Sequence, residues 1–287
     1  MYFQSEILIL LKGGKPIGRP LLKTAVPPVK PDCLSLPELD YAFLFEKFGP
    51  SLGFWRAAEI AALREAAPYE PPILDLGCGD GLVTSRIFPR VAVGLDPDAA
   101  ALEHAAGLGV YGRLIAQPME KADLQPGSMR TVISNSVLEH ISAIDSVLQA
   151  AARVLKPGGR LVFTVPTEAF SCWLVLPGSG YAARRNAHFQ HLNLWPAAQW
   201  ADHLLAAGLK MDCVRPYLGR GWVRTWDALE LLQIIYLGAG RRRVGLFDQL
   251  WRRLPAAWIR ALAHRASRLD LSAPAPGGGR LISAQKE

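Results

Sequence analysis

Apolar positions along the chain follow two periods, one typical of helices and one typical of buried strands. From Pro37 onward, Leu39, Phe43 and Phe48 recur at helical spacing, and a second helix is predicted over 54–67. From residue 72, short apolar runs bounded by glycine or proline alternate with helical stretches. The runs predict strands over 72–76, 91–95, 109–115, 130–134, 160–165, 209–215 and 280–285. The stretches between them predict helices over 81–88, 97–107, 141–155 and 196–207.

This alternation predicts the fold class and the organisation of the chain. Consecutive strand–helix–strand units connect right-handed and place helices on both faces of a sheet, so we expect an α/β fold with a doubly wound, mostly parallel, seven-stranded sheet. The expected segments are a tag remnant at 1–5 (MYFQS), an N-terminal cap segment at 6–52, the core at 53–216 and 277–287, a further cap piece at 167–195 within the core range, and a helical insertion at 217–276.

Composition and charge exclude several classes of protein. Half of the 287 residues are apolar and 20% are charged, which excludes a disordered chain. Four widely spaced cysteines argue against a disulfide framework or a zinc ribbon and favour a reducing compartment, so we expect a cytoplasmic protein. We recognise no signal peptide and no apolar run of about 20 residues, the length that spans a bilayer. The formal charge of +7 is concentrated late in the chain, where ten arginines accompany four acidic residues over 220–270.

The most informative motif is a glycine-rich turn between a predicted strand and a predicted helix. Asp75 ends the strand, and Gly77, Gly79 and Gly81 follow at every second position. Glycine lets the backbone approach a ligand closely, and the start of a helix presents free N–H groups. A second strand ends about twenty residues later in Asp96, where nucleotide-binding α/β folds place the carboxylate that holds a ribose.

Four motifs in order give the chain a family resemblance. They are DLGCGDG at 75–81, GLDPD at 94–98, SNSVLEHI at 134–141 and RVLKPGGRLVFTVP at 153–166. In these residues the chain resembles the class I S-adenosylmethionine-dependent methyltransferases, in particular the group that acts on small molecules and quinones. The resemblance implies a Rossmann-like methyltransferase fold, S-adenosylmethionine as methyl donor and S-adenosylhomocysteine as product. It also implies that the protein mainly positions donor and nucleophile for an in-line transfer.

The resemblance assigns a cofactor-binding role to nine residues. Those expected beside the methionine moiety or the methyl group are Asp75, Gly77, Cys78, Gly79, Asn135 and Ser136; Asp96 is expected at the ribose, and Pro97 and Met119 at the adenine. After the third strand the family usually has an acidic residue, whereas this chain has Gln117-Pro118-Met119, so we expect Met119 to contact the adenine without an acid. No metal ligand is expected.

Three histidines are candidates for a catalytic base. His140 is the last residue of the Leu-Glu-His run in the SNSVLEHI motif. His188 and His191 lie after the fifth core strand, where the family often places groups that face the acceptor. An imidazole with a pKa near 6.5 suits proton removal from a phenol or enol at neutral pH. The aromatic content of the cap segments predicts an apolar acceptor pocket lined by Phe170, Trp173, Leu174, Tyr181, Trp222, Trp226 and Tyr236.

The expected function is therefore methyl transfer to an oxygen or carbon of a small apolar acceptor resembling a natural product, a quinone or a lipid. Two alternatives stay open: an inactive cofactor-binding partner protein, and an RNA or protein methyltransferase, although no nucleic-acid module is recognised. Residues 241–268 alternate arginines with apolar and aromatic residues at helical spacing, which is typical either of a lid packed on the core or of a helix on the inner face of an anionic membrane. The sequence does not indicate the oligomeric state.

Overall fold

The structure is a computed structural model, and it describes residues 33–233, 236–237 and 244–287. The expected tag remnant at 1–5, most of the expected N-terminal cap segment and Arg241, Arg242 and Arg243 of the basic segment lie outside the described residues.

A seven-stranded sheet forms the centre of the molecule. Its strands are β1 (Ile73–Leu76), β2 (Val91–Leu95), β3 (Tyr111–Ile115), β4 (Met129–Asn135), β5 (Leu155–Pro166), β6 (Leu209–Tyr217) and β9 (Gly279–Lys286). They lie in the order β3-β2-β1-β4-β5-β9-β6. The first five are mutually parallel, and β9 runs antiparallel between β5 and β6. This arrangement confirms the predicted fold class.

Ten helices accompany the sheet in the described part of the chain. They are α1 (Glu38–Glu65), α2 (Leu82–Ser85), α3 (Ala99–Gly107), α4 (Ile144–Val154), α5 (Phe170–Trp173), α6 (Ser179–Phe189), α7 (Ala197–Ala206), α8 (Arg220–Gln233), α9 (Leu246–Arg252) and α10 (Ala256–Ala266). Two short 3₁₀ helices (Met119–Lys121 and Leu138–His140) and a two-stranded hairpin, β7 (Tyr236–Leu237) with β8 (Val244–Gly245), complete the elements. The pattern predicted neither α6 nor this hairpin.

Hydrophobic cores lie on both faces of the sheet. Neighbouring residues of β5 point to opposite sides: Phe163 packs in one core with α4 and α7, and Val162 packs in the other with α1, α8 and α10. All four residues of β1 are buried. A strand buried on both faces has no polar side, which is why it appears in the sequence as a continuous apolar run.

The predicted pair of helices after Pro37 forms one helix, α1, with a break at Gly49. Gly49 has φ +75°, and Pro50 follows it, so the helical hydrogen-bond pattern is interrupted there. The two halves remain in close contact, because a Cβ on Gly53 would lie 2.8 Å from the carbonyl oxygen of Leu44. The sequence pattern thus predicted two helical segments, but it placed the start of the second at 54, whereas the helix resumes directly after Gly49 and ends at Glu65.

Residues between β6 and β9 pack against the N-terminal part of the described chain. The Trp251 indole donates a hydrogen bond to the carbonyl of Phe45 at 3.0 Å. The backbone N–H of Leu271 donates to the carbonyl of Leu34 at 2.7 Å. Helices α1, α8 and α10 pack together as one layer on the face of the sheet that carries Val162.

Candidate active site

The loop between β1 and α2 is held to β2 through its backbone. The N–H groups of Gly77 and Cys78 both donate to the carbonyl of Leu95, at 2.7 and 3.0 Å. Gly77 has φ +74°, and a Cβ there would lie 2.4 Å from Val137. Glycine is therefore required at this position by the protein's own packing.

Gly79 differs from Gly77 in what surrounds it. It also has a left-handed backbone, with φ +53°, but no described atom lies within 4 Å of the position of a Cβ. Its N–H donates to Oδ2 of Asp96 at 2.9 Å, and the other oxygen of Asp96 accepts from the N–H of Asp98 at 2.9 Å. Because each carboxylate oxygen accepts more than one hydrogen bond, Asp96 can still take the hydroxyls of a ribose. An open glycine beside a partly exposed carboxylate fits the S-adenosyl group.

Asp75 is more deeply placed than the sequence suggested. Its side chain is buried, and one oxygen accepts hydrogen bonds from the hydroxyls of Thr84 at 2.6 Å and Tyr111 at 2.7 Å. Burial raises its pKa to about 6, although the two hydroxyl donors oppose the rise. Asp75 thus joins α2 and β3 beneath the loop, and its contact with the methionine moiety stays a prediction.

The remaining cofactor candidates lie on both sides of this loop. Cys78 is buried, and burial raises the pKa of its thiol, so the thiol is protonated. Pro97 is exposed at the end of β2, next to Asp96. Met119 is buried in the 3₁₀ helix after β3 and packs in the core with α4. The adenine contacts of Pro97 and Met119 stay predictions.

The end of β4 carries a hydrogen-bonded group that the sequence only partly revealed. Asn135 donates to Glu59 at 2.9 Å and accepts from the hydroxyl of Thr164 at 2.8 Å. Ser136 has φ +51° and also donates to Glu59 through its hydroxyl. Glu59 comes from α1, 76 residues before Asn135, and no local motif marks it. Sequence analysis therefore missed it.

A second segment clamps the loop that follows β4. The side-chain amide of Asn193 donates to the carbonyls of Leu138 and Ile141, at 2.8 and 2.7 Å. The backbone N–H groups of Leu192 and Asn193 donate to the carbonyl of Glu139, at 2.7 and 3.0 Å. These bonds bring His191, two residues before Asn193, to the same edge of the sheet as Asn135. Sequence analysis singled out His191 in this segment but gave Asn193 no role.

The structure brings two of the three candidate histidines together. The rings of His140 and His191 stack with their centroids 5.5 Å apart, and His140 Nδ1 lies 3.2 Å from the carbonyl of Gln190. His188 is exposed near the end of α6, where its ring contacts Phe189.

The expectation that these imidazoles keep a pKa near 6.5 is wrong for His191. Burial, together with the charges of His140 and Arg185, lowers its pKa to about 3. Burial also lowers the pKa of His140. His191 is therefore neutral at physiological pH, and its buried Nδ1 has no hydrogen-bond partner among the described residues.

Aromatic side chains from several helices meet beside His191. Phe170 and Phe189 lie with ring centroids 5.2 and 5.5 Å from the imidazole, and Trp226 lies 5.4 Å from both. The guanidinium of Arg185 stacks over Phe189 and pairs with the buried Asp227 at 2.9 Å. Six of the residues predicted to line the acceptor pocket belong to, or pack on, the core that α1, α8 and α10 form: Phe170, Trp173, Leu174, Tyr181, Trp222 and Trp226. The side chain of the seventh, Tyr236, lies outside the described residues.

One cluster has the side-chain types that bind a divalent cation. Glu139, His140 and His191 each offer one donor atom, and these atoms lie within 4.8 Å of one another. Burial raises the pKa of Glu139 to about 8, and one of its oxygens has no partner in the described part of the chain. The carboxyl is therefore protonated at neutral pH unless a cation displaces the proton. The expectation of no metal ligand stays untested.

The fold and the site define a class of protein. A doubly wound sheet with an open glycine loop and a strand-end carboxylate at its C-terminal edge is typical of proteins that hold a nucleotide-containing cofactor. The sequence profile of the family described as "Methyltransferase domain" matches residues 54–214, more than half of the chain. The chain belongs to this family and is a class I S-adenosylmethionine-dependent methyltransferase.

Curated relatives of the chain include ubiquinone biosynthesis O-methyltransferases. The protein of this name from Xanthomonas euvesicatoria is 32% identical over 161 residues, which cover 52% of this chain and 67% of that protein. The one from Sodalis glossinidius is 32% identical over 129 residues, which cover 42% of this chain and 52% of that protein. The chain thus spans between about half and two thirds of the length of these relatives.

Solved structures share the fold at low sequence identity. A SAM-dependent methyltransferase from Thermotoga maritima superposes with a TM-score of 0.53 at 15% identity, covering 86% of this chain and 100% of that one. Geranyl diphosphate C-methyltransferase from Streptomyces coelicolor, in complex with S-adenosyl-L-homocysteine, gives a TM-score of 0.50 at 15% identity, covering 91% and 90%. These similarities support the fold.

Proposed function

We propose that the chain methylates a hydroxyl oxygen of a small, largely apolar acceptor, with methylation of a carbon as the second candidate. Support comes from the aromatic side chains beside the end of β4 and from relatives that are named O-methyltransferases. When bound, S-adenosylmethionine supplies a methyl group that is already activated on sulfur. The task of the chain is then to orient the acceptor and to take up its proton.

The observation that carries this proposal is the neutral, partnerless Nδ1 of His191 among aromatic rings. A neutral imidazole accepts a hydrogen bond from a phenol or enol hydroxyl. The hydroxyl proton would pass to this nitrogen when the oxygen receives the methyl group that the bound cofactor supplies. With a pKa of about 3 this nitrogen is a weak base. The hydroxyl becomes strongly acidic as its oxygen gains the methyl group, so the proton can still pass to His191 and then on to water.

Replacement of His191 tests this role. His191→Ala is expected to lower turnover by about 10²- to 10⁴-fold, the usual contribution of a general base, while cofactor affinity stays unchanged. His104→Ala removes an exposed histidine of α3 and serves as the matched control. Acceptors are first found by transfer of labelled methyl groups into a whole-cell lipid and metabolite extract. A loss in His188→Ala instead of His191→Ala would assign the base to His188, and retained activity in both variants would remove histidine from the mechanism.

We also propose that α9 and α10 lie on an anionic membrane surface and give access to a lipid-like acceptor. The structure divides the apolar residues of α10 between two faces: Ala263 and Ala266 are buried against the core, whereas Trp258 is 65% exposed and Leu262 41% exposed. Leu250 of α9 is 55% exposed. Exposed arginines surround these side chains, namely Arg252, Arg253, Arg260, Arg265 and Arg268. Exposed apolar side chains within a basic surface match the headgroup region of anionic lipid.

None of the helices in the described part of the chain combines the length and the apolar character that crossing a bilayer requires. The membrane proposal therefore concerns surface contact alone, and co-sedimentation with vesicles tests it. Binding is expected to vesicles that contain phosphatidylglycerol at low salt, to weaken at high salt, and to be absent with phosphatidylcholine alone.

Variants separate this surface from the rest of the molecule. The double variant Trp258→Ala/Leu262→Ala is expected to reduce binding about tenfold or more, because it removes apolar area that enters the interface. Leu205→Ala, at a leucine of α7 that is also 40% exposed, is the matched control on the other face of the sheet. Lack of binding at low salt would reject the proposal and leave α9 and α10 as a lid over the acceptor.

A further inference from the structure

Glu59 is a buried carboxylate at the centre of a hydrogen-bond network that no sequence motif indicated. It lies on the second half of α1 and is fully buried. One oxygen accepts from the indole N–H of Trp55 at 2.8 Å and from the hydroxyl of Ser136. The other accepts from the guanidinium of Arg56 at 2.7 Å and from the side-chain amide of Asn135 at 2.9 Å. Two donors thus come from α1 and two from the end of β4.

The charge of Glu59 is compensated within the same helix. A buried carboxylate persists only when it is paired and hydrogen-bonded. Burial by itself lowers the pKa of Arg56, but the charge of Glu59 and the hydrogen bond to it outweigh burial and raise that pKa. Arg56 is therefore charged and balances the charge of Glu59. The Glu59 carboxylate can thus accept all four hydrogen bonds while it is buried.

The network restricts both residues at the end of β4. The amide of Asn135 is held at each end, by Glu59 on the nitrogen and by the hydroxyl of Thr164 on the oxygen. Ser136 adopts φ +51°, a conformation that is rare for residues other than glycine. Its N–H donates to the carbonyl of Thr164 at 3.0 Å, and its hydroxyl is tied to Glu59. Neither side chain can turn without breaking a bond to Glu59.

We propose that Glu59 is a positioning residue that keeps Asn135 and Ser136 in the conformation that receives the methionine end of the cofactor. The inference rests on the proposed placement of these two residues beside that moiety, and it does not depend on the acceptor. It makes the second half of α1, to which the sequence gave no role in the site, part of the cofactor site.

The first test is Glu59→Gln, measured by calorimetric titration with S-adenosylhomocysteine and by thermal unfolding. Glutamine keeps the shape of the side chain but presents an N–H₂ group to donors, so part of the network must break. We expect a cofactor Kd about 5- to 30-fold higher than in the unchanged protein, or about 1–2 kcal/mol, because Asn135 and Ser136 are no longer fully held in place.

The matched control is Asp40→Asn, which changes another buried carboxylate of the same helix. Asp40 accepts from Arg64 and Arg86 and contacts none of the residues at the end of β4. Arg64 still donates to the backbone carbonyl of Arg86 at 3.0 Å, so the end of α2 stays anchored in this variant. We expect Asp40→Asn to lower the melting temperature while the cofactor Kd changes by less than about twofold.

Folded Glu59→Gln with unchanged cofactor affinity would overturn the inference. If Glu59→Gln does not fold, Trp55→Phe removes one donor to the same carboxylate and is expected to raise the Kd about 2- to 5-fold; an unchanged Kd in that variant counts against the inference equally.

A double-mutant cycle separates this inference from the placement on which it rests. If Glu59 acts through Ser136, Glu59→Gln/Ser136→Ala binds no more weakly than the more affected single variant. Additive losses both in this variant and in Glu59→Gln/Asn135→Ala would show that Glu59 acts by another route. If Asn135→Ala and Ser136→Ala both bind the cofactor normally, the placement of these residues fails, and the inference fails with it.

Discussion

Gly77 and Gly79 have similar left-handed backbones but are required for different reasons. A side chain at Gly77 would collide with Val137, so the folded protein itself excludes one. A side chain at Gly79 would meet no described atom outside its chain neighbours, so only the left-handed backbone disfavours one in the protein without a ligand. Gly77 therefore maintains the loop, whereas Gly79 is expected to leave room for the cofactor.

Gly79→Ala is accordingly expected to weaken cofactor binding about tenfold or more, since its methyl group enters the space that the cofactor needs. The left-handed backbone adds a stability cost of about 1–2 kcal/mol. Gly109→Ala is the control, because Gly109 has φ +67° and equally open surroundings but lies at the opposite end of the strands. Both variants should lose similar stability in urea unfolding, and calorimetric titration should show weaker binding in Gly79→Ala alone. Equal affinities would place the cofactor elsewhere.

Asp96 and Asp98 are neighbouring acids with different roles. Asp96→Ala is expected to cost about 1.5–3 kcal/mol of cofactor affinity, the range for hydrogen bonds to a charged group. Asp98 caps α3 by accepting from the N–H groups of Ala100 and Ala101. Asp98→Ala should therefore cost about 1 kcal/mol of stability and leave affinity unchanged. Calorimetric titration that found wild-type affinity in Asp96→Ala would contradict the ribose assignment.

At the scale of elements, helices α1 and α10 show which of their apolar residues pack against the protein and which stay exposed. The halves of α1 pack across the break at Gly49, with Gly53 against the carbonyl of Leu44. In α10, Ala263 and Ala266 face the core, and Trp258 and Leu262 face outward. The periodicity of a helix shows that an apolar face exists, but not which part of it the protein covers.

Replacement of two helical glycines, Gly53 and Gly180, by alanine should change the stability of the protein in opposite directions. Gly53→Ala is expected to destabilise the protein by about 1–3 kcal/mol, because the added methyl group overpacks the contact with Leu44. Gly180→Ala in α6 is expected to stabilise it by about 0.5–1 kcal/mol, since Gly180 is exposed and its Cβ position is open. Urea unfolding measures both changes. A stabilising Gly53→Ala would show that α1 can shift away from the contact.

At the scale of the whole molecule, buried carboxyls make stability depend on pH. Burial raises the pKa of Glu139 to about 8, well above its value in an unfolded chain. The folded protein therefore binds a proton that the unfolded chain has released, and stability falls as pH rises towards 8. The pKa of Asp75 is about 6, so this carboxyl also lowers stability as pH rises, but over a lower pH range, up to about pH 6.

Stability is expected to fall by about 2–3 kcal/mol between pH 6 and pH 9 in a buffer with a metal chelator, from the roughly 1.4 kcal/mol that each pH unit contributes for one group. Glu139→Gln resembles the protonated carboxyl and should remove most of this slope. Urea unfolding across the pH range measures both proteins. An unchanged slope in Glu139→Gln would show that Glu139 is ionised in the folded protein.

Much of the fold was predictable because its signals are local. Each central strand is a short apolar run, and the break in α1 coincides with the Gly49–Pro50 pair. The elements that were missed are those with weak local patterns. Helix α6 has a mainly exposed surface, with Arg185 as its only buried residue, so no apolar stripe marks it.

The sequence by itself determined the order of the strands along the chain, the glycine loop and the second acid, since these features depend on neighbouring residues and on the period of burial. Only the tertiary structure decided which distant residues complete the site. It placed Glu59 against the end of β4, clamped the following loop with Asn193, and buried His191 deeply enough to lower its pKa. The physical reason is that desolvation and hydrogen bonding depend on which side chains packing brings within a few ångströms, and these side chains lie 50 to 80 residues apart in the chain.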